Sequence, residues 1–206
     1  MKPTNQELQE FKENAKLWAT ERLEDPKTLI LDVETTGLLS QDPDTEIVQL
    51  SIVNTAGKSV LSLLIKPNKP LEQKLIDIHG ITNEMLIDAP VFPQIAKLLS
   101  FILEGKHVIA YNADFDLKLL WHLFKKYKID APKTTGASCC MDRYSEWCGD
   151  WNVKKDGFKW QSLPNLSGLP SHDAFSDCIS TIRVMELMAG LHNPESAKAE
   201  EIDLDF

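Results

Sequence analysis

The sequence predicts a layered α/β domain: a mixed β-sheet with helices packed on its faces. Three observations carry that prediction. β-type apolar runs crowd the first third of the chain, helical periodicities dominate the remainder, and one more apolar strand pattern, Lys106–Tyr111, lies between two of the helices. Strands first, then helices mixed with a returning strand, require a sheet with helical cover rather than a bundle or a sandwich.

The elements follow in order. Leu8, Phe11, Ala15, Trp18 and Ala19 recur at helical spacing and predict a helix over 5–24, ended by Asp25–Pro26. Thr28–Val33 is a short apolar strand, and Gly37 with Leu39–Thr45 reads as a loop. Glu46–Thr55 and Lys58–Lys66 are β-type runs joined at Ala56–Gly57 as a hairpin, with Pro67 and Pro70 punctuating the exit. Short helical patterns follow at Glu72–Ile78 and Asn83–Ile87. Pro93–Leu103 places Ile95, Leu98, Leu99 and Ile102 on one face, and Gly105 stops it. Asp114–Tyr127 is amphipathic and buries Phe115, Leu119, Leu120 and Leu123. Thr134–Gly136 is a break, 138–148 reads as a helix, and 149–171 is irregular and rich in Gly, Pro and Trp. The last helix spans Asp173–Ala189, closed by Gly190 and Pro194. The expected organisation is an N-terminal helical extension (1–27), one α/β domain (28–190) and an acidic flexible tail (191–206).

Composition sets bounds. The 206 residues are 43% hydrophobic and 26% charged, an ordinary globular mix for one domain with short extensions. No apolar run approaches the ~18 residues needed to span a bilayer, and Met1–Glu13 lacks a basic-then-apolar signal pattern. A cytoplasmic protein with no membrane partner is expected. Four cysteines are too few for a disulfide scaffold. The net charge of −9 argues against a broad non-specific grip on nucleic acid. The acids are unevenly placed: Asn193–Phe206 holds Glu195, Glu200, Glu201, Asp203 and Asp205 against Lys198. An acidic total therefore still admits a nucleic-acid substrate, provided metal ions and local lysines offset the charge.

Three clusters carry chemistry. In Leu31-Asp32-Val33-Glu34-Thr35-Thr36-Gly37, Asp32 and Glu34 are two apart on a strand and share a face, while Leu31 and Val33 point into a core. Two like charges ~4 Å apart repel by about 4 kcal/mol at an effective dielectric of 20, and a divalent cation reverses that sign. In Tyr111-Asn112-Ala113-Asp114-Phe115-Asp116, at a strand-to-helix junction, Asn112 or Asp114 suits the cap and Asp116 falls in the first turn, facing the strand ends. In His172-Asp173-Ala174-Phe175-Ser176-Asp177, five helical residues would turn through ~500°, so His172 and Asp177 converge only if His172 lies in the preceding loop. Ser171 or Asp173 suits that helix's cap. Each cluster alone also reads as solvated acids or an exposed histidine.

Together, in this order, D-x-E, N-x-x-F-D and H-x4-D resemble the DEDDh (DnaQ-like) 3′–5′ exonucleases across about Leu29–Ala189. Leu38, Ile78-His79-Gly80-Ile81-Thr82 and Asp177-Cys178 add to the match. The resemblance implies an RNase H-like sheet. It implies two ions, Mg²⁺ or Mn²⁺, held by Asp32, Glu34, Asp116 and Asp177, with Asp32 touching both. It implies His172 as the general base and Thr35, Thr36 and Leu38 at the terminal nucleotide, with His79 and Phe115 as further substrate contacts. Phe115 also reads as a core residue. Hard oxygen donors suit Mg²⁺ or Mn²⁺, and an imidazole suits proton uptake near neutral pH. The T-T-G form of the first motif looks more like proofreading-type enzymes, so DNA with a 3′ end is the expected substrate. An RNA-trimming enzyme of the same family and a replication-associated interaction module are the alternatives.

Other features have plainer readings. Trp147, Trp151, Phe158 and Trp160, interleaved with Lys154, Lys155 and Lys159, suit a local mini-core or a stacking surface for a single strand, with the mini-core favoured. Lys125, Lys126 and Lys128 read as a solvated helix end. Cys139, Cys140 and Cys148 fit buried small side chains better than a zinc site. His107 and His122 read as structural. The terminal Glu201-Ile202-Asp203-Leu204-Asp205-Phe206 resembles a sliding-clamp-binding peptide, with Leu204 and Phe206 as anchors and Glu201 in place of the usual Gln. It also looks like the acidic, Phe-ended tail of single-stranded-DNA-binding proteins. A clamp or polymerase partner is the expectation that follows.

Overall fold

The computed structural model describes residues 2–191. In chain order these form α1 (Asn5–Glu24), β1 (Thr28–Thr35), β2 (Ile47–Asn54), β3 (Ser59–Leu64), α2 (Gln73–His79), α3 (Phe92–Leu103) and β4 (His107–Ala110). They continue as α4 (Ala113–Lys126), β5 (Gly136–Cys139), α5 (Cys140–Cys148), β6 (Trp151–Asn152), β7 (Gly157–Phe158) and α6 (Ala174–Ala189). The main sheet has the order β3-β2-β1-β4-β5. β1, β2 and β3 are antiparallel, and β4 and β5 run parallel to β1. The sheet is therefore mixed, as expected, with helices on both faces.

The alternation of β1 divides the core in two. Leu29, Leu31 and Val33 pack with residues of α3 and α4, including Leu99, Leu120 and Phe124. Ile30 packs on the opposite face with α1, α5 and α6, through Ala15, Ala19, Cys140, Ile182 and Met185. A strand buried on both faces carries a nearly continuous apolar run, which is why Leu29–Leu31 reads as it does. Asp32 and Glu34 share the parity of Ile30, so they face the α6 side.

The helix ends follow local chemistry. At α1, Thr4 Oγ1 accepts the Glu7 N–H (3.3 Å) and the Glu7 carboxylate accepts the Thr4 N–H (2.8 Å), a reciprocal cap. Its Ala15 and Ala19 are fully buried, so the helix is packed onto α5 and α6.

Five expectations need correction. β1 runs to Thr35, past Val33, because β2 still pairs with Glu34 and, beyond a bulge, with Thr35. Asn83–Ile87 is a series of turns, since Leu86 and Ile87 donate to residues three back, Asn83 and Glu84. Its Asn83 side chain is committed to the Leu71 backbone (2.7 Å). Leu98 is 46% exposed, and Phe92, Ala96 and Leu103 join Ile95 and Leu99 on the buried face of α3. Residues 136–139 form β5, where a break and then a helix were expected; parallel pairing with β4 makes this strand, not the propensity of Gly-Ala-Ser-Cys. Cys148 is exposed, whereas Cys140 and Cys178 are buried.

The other side readings can be located. His107 Nε2 bonds Ser138 Oγ (2.8 Å) and His122 Nε2 donates to the Pro43 carbonyl (2.9 Å), both structural. Lys126 reaches Asp44 at 3.1 Å. Within 149–171, Trp151 meets Phe158 edge-on at 5.1 Å, and Phe158 meets Phe11 of α1 at 5.0 Å. Lys12 sits over Trp147. That is the expected mini-core, and Trp160 stands outside it at 74% exposure. No helix among the described residues is long and apolar enough to cross a membrane.

Gly136 shows how closely β4 and β5 approach. A Cβ there would lie 2.8 Å from His107 Nδ1, on a ring already anchored to Ser138. Gly136→Ala should cost about 1–3 kcal/mol in a urea titration, and adding His107→Ala should restore part of it. An unchanged midpoint would show that the ring moves freely.

Candidate active site

The candidate site lies at the carboxyl end of β1, where the chain connects antiparallel to one neighbour and parallel to the other. Such a reversal opens a crevice beyond the strand ends. β4 pairs only with Thr28–Ile30 of β1. Further along, the Val33 N–H donates instead to Asp116 Oδ1 (3.2 Å) from the first turn of α4. Asp116 is 3% exposed and is thereby fixed beside Asp32. The expected cap is absent: Asn112 occupies the N-cap position without a side-chain bond. Asp114 points outward to Lys118 (3.1 Å). The Asn112 carbonyl accepts the Phe115 and Asp116 N–H groups and starts the helix.

The opposite wall is the start of α6. Asp173 caps it, accepting the Ser176 N–H (3.0 Å). The other Asp173 oxygen accepts from Gln49 Nε2 (2.8 Å), and Gln49 Oε1 accepts the Ala174 N–H (3.1 Å). Gln49 lies opposite Glu34 in the β1–β2 register, so one side chain ties α6 to the strand carrying Glu34. Sequence reasoning missed Gln49; its signal is a polar amide inside the apolar run Ile47–Val53. His172 sits in the preceding loop with φ 58°, a left-handed conformation costing a non-glycine residue about 1–2 kcal/mol. This places its ring with Glu34 and Asp177, each offering a ligand atom within 4.8 Å of the others.

A cleft of about 470 Å³ collects Asp32, Glu34, Asp116, His172 and Asp177. No lysine or arginine lines it among the described residues. The repulsion appears in the acidities. Burial pushes the Asp32 carboxyl well above the carboxylate range, aided by Asp116, Asp177 and Glu34. Burial, then Asp177 and Asp173, raises Glu34 to about 7. Burial raises Asp116 to about 8 despite the Val33 N–H. Asp177 is raised by burial and held back by His172. Acids gathered in a cleft that no lysine or arginine lines among the described residues, all hard oxygen donors beside one imidazole, fit a divalent cation.

The substrate-facing residues are placed unevenly. Thr35, Leu38, His79 and Phe115 line the cleft, and Leu38 is 45% exposed. The Thr35 hydroxyl donates to the Gly37 carbonyl (2.8 Å), and Gly37 has φ 145°, a conformation reserved for glycine. Thr36 is not brought to the cleft wall: its N–H and Oγ1 both bond the Glu46 backbone (2.9 Å each), so it braces the loop. His79 Nδ1 accepts the Ile81 N–H (3.1 Å), so the proton sits on Nε2, which is buried without a partner. Phe115 packs on the β1–α3–α4 core and also lines the cleft, so both readings hold. Leu204 and Phe206 lie outside the described residues.

The fold and this constellation define a nuclease of the RNase H-like superfamily. Residues 29–185 match the family described as Exonuclease. The uncharacterized exonuclease CP81 of Escherichia phage 186 is 31% identical over 189 residues, covering 86% of this chain and 93% of that protein. The DNA polymerase III subunit epsilon of Pasteurella multocida (strain Pm70) is 31% identical over 122 residues, covering 56% of this chain and 47% of that subunit. The chain thus spans just under half the length of that subunit. Exonuclease X in complex with 5′ overhanging duplex DNA shares the fold at TM-score 0.51 and 22% identity, with 82% of this chain and 95% of that chain covered. E. coli Exonuclease I in complex with a dA16 oligonucleotide does so at TM-score 0.61 and 17% identity, with 83% and 42% covered. The chain belongs to the exonuclease family and is a DEDDh-type, DnaQ-like 3′–5′ exonuclease.

The raised acidities give a signed prediction. Glu34 and Asp116, which titrate near 4 when unfolded, are pushed up to about 7 and about 8 by folding. Their contribution to stability is therefore full below about pH 4 and is lost as pH rises through 7 to 8. In EDTA, Tm should fall from pH 5 to pH 8, by about 2–4 °C for each kcal/mol lost. Mg²⁺ or Mn²⁺ should restore it, by more at pH 8 than at pH 5. Asp116→Asn should flatten both trends. A Tm in EDTA that rises over this range would contradict the electrostatic account.

Proposed function

We propose that this exonuclease removes nucleotides from the 3′ ends of single-stranded DNA, releasing nucleoside 5′-monophosphates, in replication proofreading or repair. The observation that carries the reading is the convergence of Asp32, Glu34, Asp116, His172 and Asp177 in one cleft, from β1, α4, α6 and the loop before it. Asp32, Glu34, Asp116 and Asp177 are assigned as the holders of two divalent cations, Mg²⁺ or Mn²⁺. When bound, such ions supply Lewis acidity and neutralise charge on the phosphodiester oxygens.

The chain's own groups supply the rest. His172, on the exposed side of the cleft, takes the proton of the attacking water on a ring nitrogen, and the neighbouring Glu34 and Asp177 stabilise the resulting cation. The bond between phosphorus and the 3′ oxygen of the upstream nucleotide breaks, leaving that nucleotide as the new 3′ end. Leu38 and Phe115 provide apolar walls for the terminal nucleotide. The Nε2–H of His79 donates to one of its oxygens and so gains the partner it lacks. Thr35 and Thr36 hold the loop in shape.

The homology to polymerase III epsilon supports a replication setting, and hence a cytoplasmic one. The segment Glu201–Phe206 is assigned to a sliding clamp or polymerase partner through Leu204 and Phe206. Truncation after Leu191 should abolish capture of a purified clamp while oligomer hydrolysis persists; equal capture by both forms would remove that assignment.

The chemistry is tested with 3′- and 5′-labelled DNA and RNA oligomers in Mg²⁺, Mn²⁺ or EDTA. Metal-dependent 5′-monophosphates should leave from the 3′ end, with DNA cleaved faster than RNA. His172→Ala should lose about 10²–10⁴-fold in rate, and Asp116→Ala should lose all detectable release. Faster cleavage of RNA would reassign the substrate. No release from either polymer would overturn the stand-alone enzyme.

A further inference from the structure

A second cleft of about 440 Å³ adjoins the first and shares Leu38, Asn112 and Phe115 with it. That volume is within the roughly 300–1,000 Å³ range of ligand sites. Leu119 and Met141 supply apolar lining, and Trp160 stands at its edge. Trp160 is the aromatic of the 149–171 segment left out of the mini-core. An indole that is 74% exposed forgoes burial that its neighbours obtain.

The indole is nonetheless held. The Lys159 N–H donates to the Asp150 carbonyl (2.7 Å) on one side of it. On the other, the Gln161 carbonyl accepts from Tyr111 Oη (2.8 Å). Tyr111 itself lines the catalytic cleft, so Trp160 is braced from the site it overlooks. Lys155 Nζ lies 5.7 Å from the indole centroid and adds positive charge beside the ring. Asp114, Asp142 and Lys118 also line this second cleft, and with Lys118 paired to Asp114 (3.1 Å) the lining keeps one negative charge in excess, which disfavours a phosphate within it. An uncharged base is the part of a nucleotide that such a space accepts.

We propose that Trp160 is a base-stacking wall for the nucleotide immediately upstream of the one removed, seated across Leu38 and Phe115 from the carboxylates. The proposal rests on the exonuclease reading and adds a specificity determinant to it. Unstacked bases reach the indole only when the end is single-stranded, so Trp160 favours single-stranded over paired 3′ termini. A stacked base contributes roughly 5- to 150-fold to affinity.

The test compares wild type, Trp160→Ala and Trp160→Phe on DNA oligomers carrying either a normal nucleotide or an abasic tetrahydrofuran at the upstream position. Binding is read in EDTA by anisotropy and turnover in Mg²⁺ by monophosphate release. On the normal oligomer, Trp160→Ala should weaken binding and raise KM about tenfold, and Trp160→Phe should recover most of both. On the abasic oligomer the three proteins should agree within about twofold. An equal loss on both oligomers, or none on either, would overturn the stacking wall. Base-dependent binding without release would uphold the wall and overturn the exonuclease reading instead.

Discussion

Mutual repulsion among buried and half-buried carboxylates is the constraint on which the rest of the structure depends. Asp32, Glu34, Asp116 and Asp177 line one cleft with no cationic lysine or arginine in its wall among the described residues. Left alone, such a cluster takes up protons, as the upward shifts of all four show. The surrounding fold must hold these groups together against that repulsion. It does so with a strand buried on both faces, whose apolar parity sends Asp32 and Glu34 toward α6.

The restraints are few and specific. Where β4 stops pairing with β1, the freed Val33 N–H holds Asp116. Where α6 begins, Gln49 and Asp173 join the helix to the strand opposite Glu34. The left-handed residue His172 then brings an imidazole back over the carboxylates. The donors in these restraints are backbone N–H groups and a neutral amide: of the cleft carboxylates, Asp116 accepts the Val33 N–H and Asp177 accepts from the His172 backbone.

Much of this was legible in the sequence. The central strand, the hairpin and the long helices carry strong periodicity, and the ordered spacing of three acidic motifs exceeds what any one of them conveys. What was hidden depends on contacts distant in sequence. β5 exists because β4 lies beside it, and Gly-Ala-Ser-Cys has no strand propensity of its own. Thr36 looks like a substrate contact by position, yet the Glu46 backbone claims it. Gln49 reads as an ordinary polar residue until the register sets it opposite Glu34. Trp160 could not be separated from its aromatic neighbours until Phe11 of α1 was seen to complete their cluster.

Two divalent cations held by carboxylates are what we propose this cleft binds. Mn²⁺ titration at pH 7.5, followed by calorimetry and electron paramagnetic resonance, tests it most directly. Two ions per chain with spin coupling between them are expected, with loss of that coupling in Asp32→Asn. A single uncoupled ion that persists in Asp32→Asn and disappears in His172→Ala would contradict it. That result would leave Glu34, His172 and Asp177 as a one-metal site and the buried pair Asp32 and Asp116 without a cation.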